Sequence, residues 1–173
     1  SFEVNRVLVI APKKVAEDTW SREAAKWDHL RHLRISKVLG SEPERLAALR
    51  ADADVYVMNR ENVVWLVETM GTEWSFDMVV VDELSSFKNH QAKRFRALRR
   101  VRPLIKRLVG LTGTPVPNGY MDLWALAYLL DRGERLGRTI TQYRDRYFST
   151  LARPGFQLYT LRVGADQLIN ERI

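Results

Sequence analysis

The sequence predicts an α/β fold in three layers, with a mostly parallel sheet covered by helices on both faces. Short apolar runs alternate with helical patterns along the first 130 residues. Strands separated by helices are typical of parallel sheets. Of the 173 residues, 46% are apolar and 28% are charged, which indicates a globular chain that can bury a sizeable core.

Four apolar runs predict buried strands, and a fifth run is a weaker candidate. Each run is short and ends at polar or turn-forming residues, as strands do. The four strands are residues 6–11, 54–58, 78–82 and 107–112, and the weaker one is residues 35–40.

Five helices are predicted between and after these strands, at residues 13–27, 41–50, 61–70, 90–100 and 120–131. The second helix has a start signal, because Ser41 is followed three residues later by Glu44 in the pattern of a capping box. The last helix is the most apolar.

Residues 132–173 have a different character. They are polar and contain Gly133, Gly137, Pro154 and Gly155, which favour loops. We predict loops with one short helix near residues 139–148. Residues 1–131 are expected to form the core, and residues 132–173 a loop and helix extension of the same domain.

Composition excludes several classes of protein. The chain has no cysteine, which rules out a disulfide framework and a thiolate metal site. No apolar run approaches the roughly 18 residues that a membrane helix needs. The first residues lack the pattern of a signal peptide. We therefore expect a cytoplasmic protein that has no membrane partner.

The net charge of +7 is concentrated in one stretch. Residues 93–107 hold eight Lys or Arg and no acid, which leaves 20 basic against 21 acidic residues elsewhere. Such a local field favours polyanions such as nucleic acid. The alternative is a solvated helix face, with Phe95, Leu98 and Val101 packed inward and the arginines in water.

Asp82 and Glu83 follow directly after the apolar run at residues 78–81. Parallel sheets bind ligands beyond the carboxyl ends of their strands. An apolar strand that ends in Asp-Glu is the Walker B pattern, in which the Asp holds Mg²⁺ through water and the Glu orients and deprotonates the attacking water. The alternative is structural, with both acids favouring the start of a helix.

Two further strand exits are ordinary when each is taken alone. The strand at 107–112 ends in Thr112-Gly113-Thr114, where the glycine permits a tight turn and the hydroxyls can bridge neighbouring loops. The first strand runs into Ala11-Pro12 and two lysines.

Together, the three clusters resemble the Swi/Snf-type ATPases of helicase-like superfamily two. "LVIAPKKVAEDTWSREAAKW" resembles motif Ia, "VVVDELSSFKN" motif II and "LTGTPVPNGYMDLWALAYLL" motif III. The resemblance covers roughly residues 6–131, and the joint occurrence of the motifs makes it specific. The tail is similar to a phage or prophage branch.

The resemblance implies a RecA-like helicase lobe of the phosphate-loop NTPase type, with ATP and Mg²⁺ as cofactors and double-stranded DNA as partner. Asp82 would hold Mg²⁺ through water, and Glu83 would be the catalytic base. The residues that would contact the nucleotide and couple its state to DNA binding are Thr112, Gly113 and Thr114. The DNA contacts implied are Pro12, Lys13, Lys14, Lys88 and Asn89.

The chain departs from the family pattern in two ways. Leu84 and Ser85 stand where Ala and His are commoner, and Ser reaches less far than His, which puts the link between the nucleotide site and motif III in doubt. No G-x-x-x-x-G-K-[S/T] phosphate loop and no second ATPase lobe occur in the sequence. We therefore expect a lobe-one fragment that is inactive alone and binds no nucleotide tightly.

The missing loop strand also predicts an open sheet edge along Leu108–Leu111. Unpaired edges recruit other strands. We expect self-association, or a substitute strand from residues 156–163.

Two other functions stay open at this point. One is the motor of a restriction enzyme, although Lys88, Asn89 and the "DLW" at 122–124 favour the Swi/Snf type. The other is a non-catalytic DNA-binding module.

Overall fold

A five-stranded parallel sheet forms the centre of the protein. The computed structural model describes residues 4–113, 119–153 and 155–173. The sheet strands are β1 (Val7–Ala11), β2 (Ile35–Val38), β3 (Val55–Asn59), β4 (Met78–Asp82) and β5 (Arg107–Leu111). They lie in the order β2-β3-β1-β4-β5. All five predicted strands are thus confirmed, and every pairing between them is parallel.

The helices lie in the connections between strands and in the tail. They are α1 (Trp20–Lys26), α2 (Glu42–Arg50), α3 (Val63–Met70), α4 (Lys93–Val101), α5 (Tyr120–Asp131), α6 (Ile140–Tyr147) and α7 (Ala165–Asn170). A π-helical turn, Val15–Thr19, leads into α1. The predicted capping box is present at the start of α2, where the Ser41 backbone N–H donates to Oε2 of Glu44 at 2.7 Å.

The two faces of the sheet carry two apolar clusters, because successive strand residues point to opposite sides. On one face, Leu8 and Ile10 of β1 pack with α3, α4 and α5. On the other face, Val9 and Ala11 pack with the π-helical turn and α1. The predicted three-layer α/β architecture is therefore confirmed.

Strand β5 forms one edge of the sheet, and its paired neighbour among the described residues is β4. Leu111, its last residue, is 43% exposed. The open edge matches the expectation, but the expected substitute strand from residues 156–163 is wrong. Strand β7 (Phe156–Leu161) instead pairs antiparallel with β6 (Phe148–Arg153). A hairpin between neighbouring segments closes with a far smaller loop than a return to β5 would need.

The tail contains more regular structure than the sequence predicted. Helix α6 confirms the predicted short helix, but hairpin β6–β7 and helix α7 lie where loops were expected. Tyr143, Tyr147, Phe148 and Ile169 are buried in the main apolar cluster. The tail therefore packs on the sheet domain through its aromatic side chains.

Helix α4 follows the solvated-face pattern with one exception. Phe95, Leu98 and Val101 are buried, as predicted. Arg102, at the end of the helix, was expected in water but is only 6% exposed. Its guanidinium donates to the carbonyls of Leu129, Leu130 (2.7 Å) and Ile105 (3.0 Å). Burial lowers the pKa of Arg102.

No helix in the described part of the chain is long and apolar enough to span a membrane.

The open edge predicts concentration-dependent association of the 173-residue chain. Leu111→Lys should weaken that association, because a lysine on an edge strand disfavours pairing with another chain. Leu104→Lys is the matched control, since Leu104 is 52% exposed but lies outside β5. Sedimentation equilibrium measures both. Equal association of the two variants would contradict a role for the β5 edge.

Candidate active site at the carboxyl edge of the sheet

The carboxyl ends of β1, β4 and β5 bring the predicted clusters together. In the sheet register, Asp82 lies opposite Leu111, and Thr112 is the next residue along the chain. Ile10 of β1 lies opposite Val81, so Pro12 leaves the same edge. The parallel arrangement thus gathers the motif residues at one edge.

Glu83 has an unusual backbone conformation. Its φ of 63° and ψ of 58° lie in the left-handed region. For a residue with a side chain this conformation costs about 1–2 kcal/mol. Strained residues of this kind persist where the surrounding structure fixes them, often at functional sites.

Leu84 supplies that surrounding structure. It is 3% exposed and begins a short 3₁₀ helix, Leu84–Phe87. A Cβ added at Gly110 of β5 would clash with Cδ2 of Leu84 and lie 3.2 Å from its Cγ, so any larger residue would have to displace this buried leucine. The burial of Leu84 beside β5 therefore holds the turn that contains Glu83.

Ser85 contacts the predicted base directly. Its hydroxyl donates a hydrogen bond to Oε1 of Glu83. The Ser86 N–H donates to the Glu83 carbonyl at 3.0 Å. The serine that replaces the commoner His therefore anchors the Glu83 carboxylate within the same turn.

The carboxylates suit a magnesium ion held partly by other ligands. Asp82 and Glu83 are half-buried at the end of β4. Among the described residues, no group of three or more Asp, Glu or His forms a metal cage. Mg²⁺ commonly takes one or two carboxylates and completes its shell with water and substrate phosphates. These two residues fit that mode.

The Thr-Gly-Thr segment is only partly described. Thr112 is half-buried, and Thr114 lies outside the described residues. Gly113 was expected to permit a tight turn, and its described conformation does not require a glycine. Its φ is not in the left-handed region, and a Cβ there would meet no atom within 4 Å.

The predicted DNA contacts differ in their surroundings. Pro12 is half-buried, and Lys13 and Lys14 are exposed at the end of β1. In the part of the chain that the structure describes, the ion-pair partner of Lys13 is Glu17, whose carboxylate lies 3.9 Å from the Lys13 ammonium. Lys88 is half-buried, and its ammonium lies 3.5 Å from the Asp122 carboxylate of α5.

Asn89 has a structural role within its turn. Its side-chain oxygen accepts a hydrogen bond from the Gln91 N–H at 2.9 Å. Because Lys88 and Asn89 both have partners within the fold, the freer cations of the predicted set are Lys13 and Lys14.

Sequence reasoning missed a polar cluster at the same edge. Asn59, the last residue of β3, is 8% exposed and lies opposite Ala11. It donates to Glu61 at 2.9 Å and accepts from Asn62 at 2.6 Å. The sequence signal that could have revealed this cluster is Asn59, a polar residue at the end of an apolar run.

Comparison with known proteins identifies the family of this chain. A family model described as the SNF2-related domain matches residues 2–140. The chain belongs to this family. The restriction-enzyme alternative is therefore less well supported than the Swi/Snf type.

Two relatives show how much of a SNF2-related protein the chain represents. Protein p41 of Acyrthosiphon pisum secondary endosymbiont phage 1 is 42% identical over 90% of this chain, which spans 35% of p41. The human DNA excision repair protein ERCC-6-like is 30% identical over 87% of the chain, which spans 12% of that protein. The chain thus covers a minor part of each relative.

A solved structure supports the same assignment. The Sulfolobus solfataricus SWI2/SNF2 ATPase core in complex with dsDNA superimposes with a TM-score of 0.69 and 26% sequence identity. The match covers 84% of this chain and 29% of that one. The sheet and its helices therefore follow the architecture of a SWI2/SNF2 ATPase core.

The packing of Leu84 on Gly110 predicts a sharp difference between two glycines. Gly110→Ala should lower the free energy of unfolding by about 1–3 kcal/mol through overpacking. Gly113→Ala should change it by less than about 0.5 kcal/mol, because nothing lies near the added methyl. Urea unfolding of both variants is the measurement. Similar losses for the two would show that Leu84 is not fixed by Gly110.

Proposed function

We propose that the chain is part of lobe one of an ATP-driven motor that moves along double-stranded DNA. The observation that carries this proposal is the pair Asp82 and Glu83 at the carboxyl end of β4, beside the exit of β5. The likeness to a SWI2/SNF2 core that was solved with duplex DNA supports the choice of partner.

The proposed chemistry is hydrolysis of the terminal phosphate of ATP. Bound Mg²⁺ would neutralise charge on the phosphates. Asp82 would hold the ion through water. Glu83 would orient the attacking water and accept its proton, and Ser85 would keep the Glu83 carboxylate in place.

The phosphates need a grip that the 173 residues do not contain, since no phosphate-loop sequence occurs among them. Such a loop surrounds phosphates with backbone N–H groups and one lysine. We propose that another segment of a longer protein supplies it, with its strand paired to the open edge of β5. A second ATPase lobe would complete the site.

Contact with DNA at the carboxyl edge is proposed for Lys13 and Lys14. Both are exposed beside the end of β1, next to β4 in the sheet. Phosphate contacts of this kind position the duplex and carry no sequence information. The edge would therefore hold DNA in register with the nucleotide site.

A non-catalytic DNA-binding module is the second candidate function. The absence of a phosphate-loop sequence from the 173 residues favours it. It predicts DNA binding without ATP turnover in the longer protein as well, so the assay of the longer protein separates the two functions.

The first test is phosphate release with and without duplex DNA. The 173-residue chain alone should show no turnover, because phosphoryl transfer depends on positioning and charge stabilisation. The full-length protein should hydrolyse ATP, and Glu83→Gln should reduce its kcat by roughly 10²–10⁴-fold. Glu73→Gln, at an exposed carboxylate, is the matched control. Unchanged turnover in Glu83→Gln would remove Glu83 from the mechanism.

The second test concerns Ser85. In the full-length protein, Ser85→Ala should lower kcat roughly 10–100-fold while leaving KM for ATP nearly unchanged, because hydrogen bonds to charged groups contribute roughly 1.5–3 kcal/mol. Ser85→Thr, which keeps the hydroxyl, should restore most of the rate.

Ser86→Ala is the control for Ser85→Ala, because the Ser86 hydroxyl is buried and has no hydrogen-bond partner within residues 4–113, 119–153 and 155–173. If the two alanine variants behave alike, the Ser85 hydroxyl does not position Glu83.

A further inference from the structure

A basic groove runs between α3 and α4, on the helical face of the sheet. Its volume is about 550 Å³. It is lined by Lys93, Arg96 and Arg100 of α4, with Ala97 between them and Val64 and Glu68 of α3 opposite. The groove is separate from the residues that the proposed motor function uses.

The fold uses only some of the cations in the basic stretch 93–107. Arg102 binds backbone carbonyls. Lys106 pairs with Asp77 at 3.0 Å. The guanidinium of Arg99 lies 4.6 Å from the centre of the Tyr128 ring, which it stacks against. These three side chains each have a partner within the fold.

The three cations of the groove have no such partners. Lys93, Arg96 and Arg100 are exposed. In residues 4–113 and the other described ranges, no ion pair involves any of the three, nor does any side-chain hydrogen bond. Glu68 is the single acid in the lining, so the groove has a net charge of +2. The cations therefore remain available to a ligand.

We propose that this groove binds the phosphate backbone of double-stranded DNA, as a second contact beside the one at Lys13 and Lys14. The positions i, i+3 and i+7 lie along one side of a helix. With a rise of about 1.5 Å per residue, Lys93 to Arg100 spans roughly 10 Å, which equals about three phosphate-to-phosphate steps of one strand at ~3.4 Å each along the duplex axis.

The lining also defines the kind of recognition. Contacts to the phosphate oxygens position a protein on the duplex and carry no sequence information. Apart from the cations, the lining here consists of small apolar residues and Glu68. Binding should therefore depend on salt and not on sequence.

The groove extends the proposed DNA-binding surface around the lobe. Helix α4 follows the carboxyl edge of β4 and precedes the amino end of β5, so it runs back along the sheet from one edge to the other. Lys93 lies at the end nearer the carboxyl edge and Arg100 at the far end. Two separate segments of duplex, or one bent segment, would be needed to reach both contacts.

The test measures the affinity of the nucleotide-free, full-length protein for a short duplex at several salt concentrations. In the triple variant Lys93→Gln, Arg96→Gln, Arg100→Gln, the slope of log K against log salt should become shallower by about 2.7, because each phosphate contact contributes ~0.9. The control Arg50→Gln, Arg138→Gln, Arg172→Gln removes the same charge from exposed positions elsewhere and should leave the slope unchanged.

A gain of function guards against a trivial loss of fold. Glu68→Gln removes the only repulsive charge from the groove and should tighten binding severalfold at low salt, which a misfolded protein would not do. Equal slopes for the two triple variants, or no effect of Glu68→Gln, would overturn the proposal. The proposal would also be overturned if the groove variant lost binding to poly-glutamate but kept the salt slope of its DNA binding, since the groove would then serve an acidic polypeptide.

This inference rests on the proposed DNA partner, and the assay separates the two failures. A parent protein that does not bind duplex DNA at any salt would reject the proposed function itself. A parent that binds duplex DNA with a slope unaffected by the groove variant would reject only the second contact.

Discussion

The packing of Leu84 against Gly110 determines the geometry of the candidate active site. A buried leucine at the start of the Leu84–Phe87 turn requires the chain to reverse sharply after Asp82, and Glu83 accommodates this in a left-handed conformation. The cost of that conformation is offset by burial of the leucine, which contributes about 1.5–3 kcal/mol. The catalytic carboxylate proposed here thus depends on a contact between two residues that carry no chemistry themselves.

Arg102 has a comparable role at the other end of the α4–β5 connection. The last carbonyls of a helix lack partners within the helix. Arg102 supplies donors to those of Leu129 and Leu130 in α5, and to Ile105 just before β5. One buried cation therefore joins the helical layer to the entry of the edge strand. It also shows that high positive charge in a stretch of sequence does not by itself indicate a ligand.

Periodicity and apolar runs predicted the parallel sheet and placed Asp82 and Glu83 at the carboxyl end of a strand, because these follow from local pattern and one topological rule. The role of Thr112 beside them was implied only by the family resemblance. The conformation of Glu83 and its bond to Ser85 escaped prediction. Both depend on the space beside Gly110 of β5, which is distant from Glu83 in the sequence. The hairpin β6–β7 was missed because its exposed apolar residues, such as Leu151 and Phe156, alternate weakly with polar ones.

The fit between Leu84 and Gly110 also bears on how such sequences diverge. The two positions share one volume, so neither can enlarge unless the other shrinks. An alanine at the position of Leu84 would leave that volume vacant, and a larger apolar side chain at position 110 of the edge strand would then fill it from the opposite side. The two positions are therefore expected to vary together, with a bulky residue exchanged between the turn and the strand.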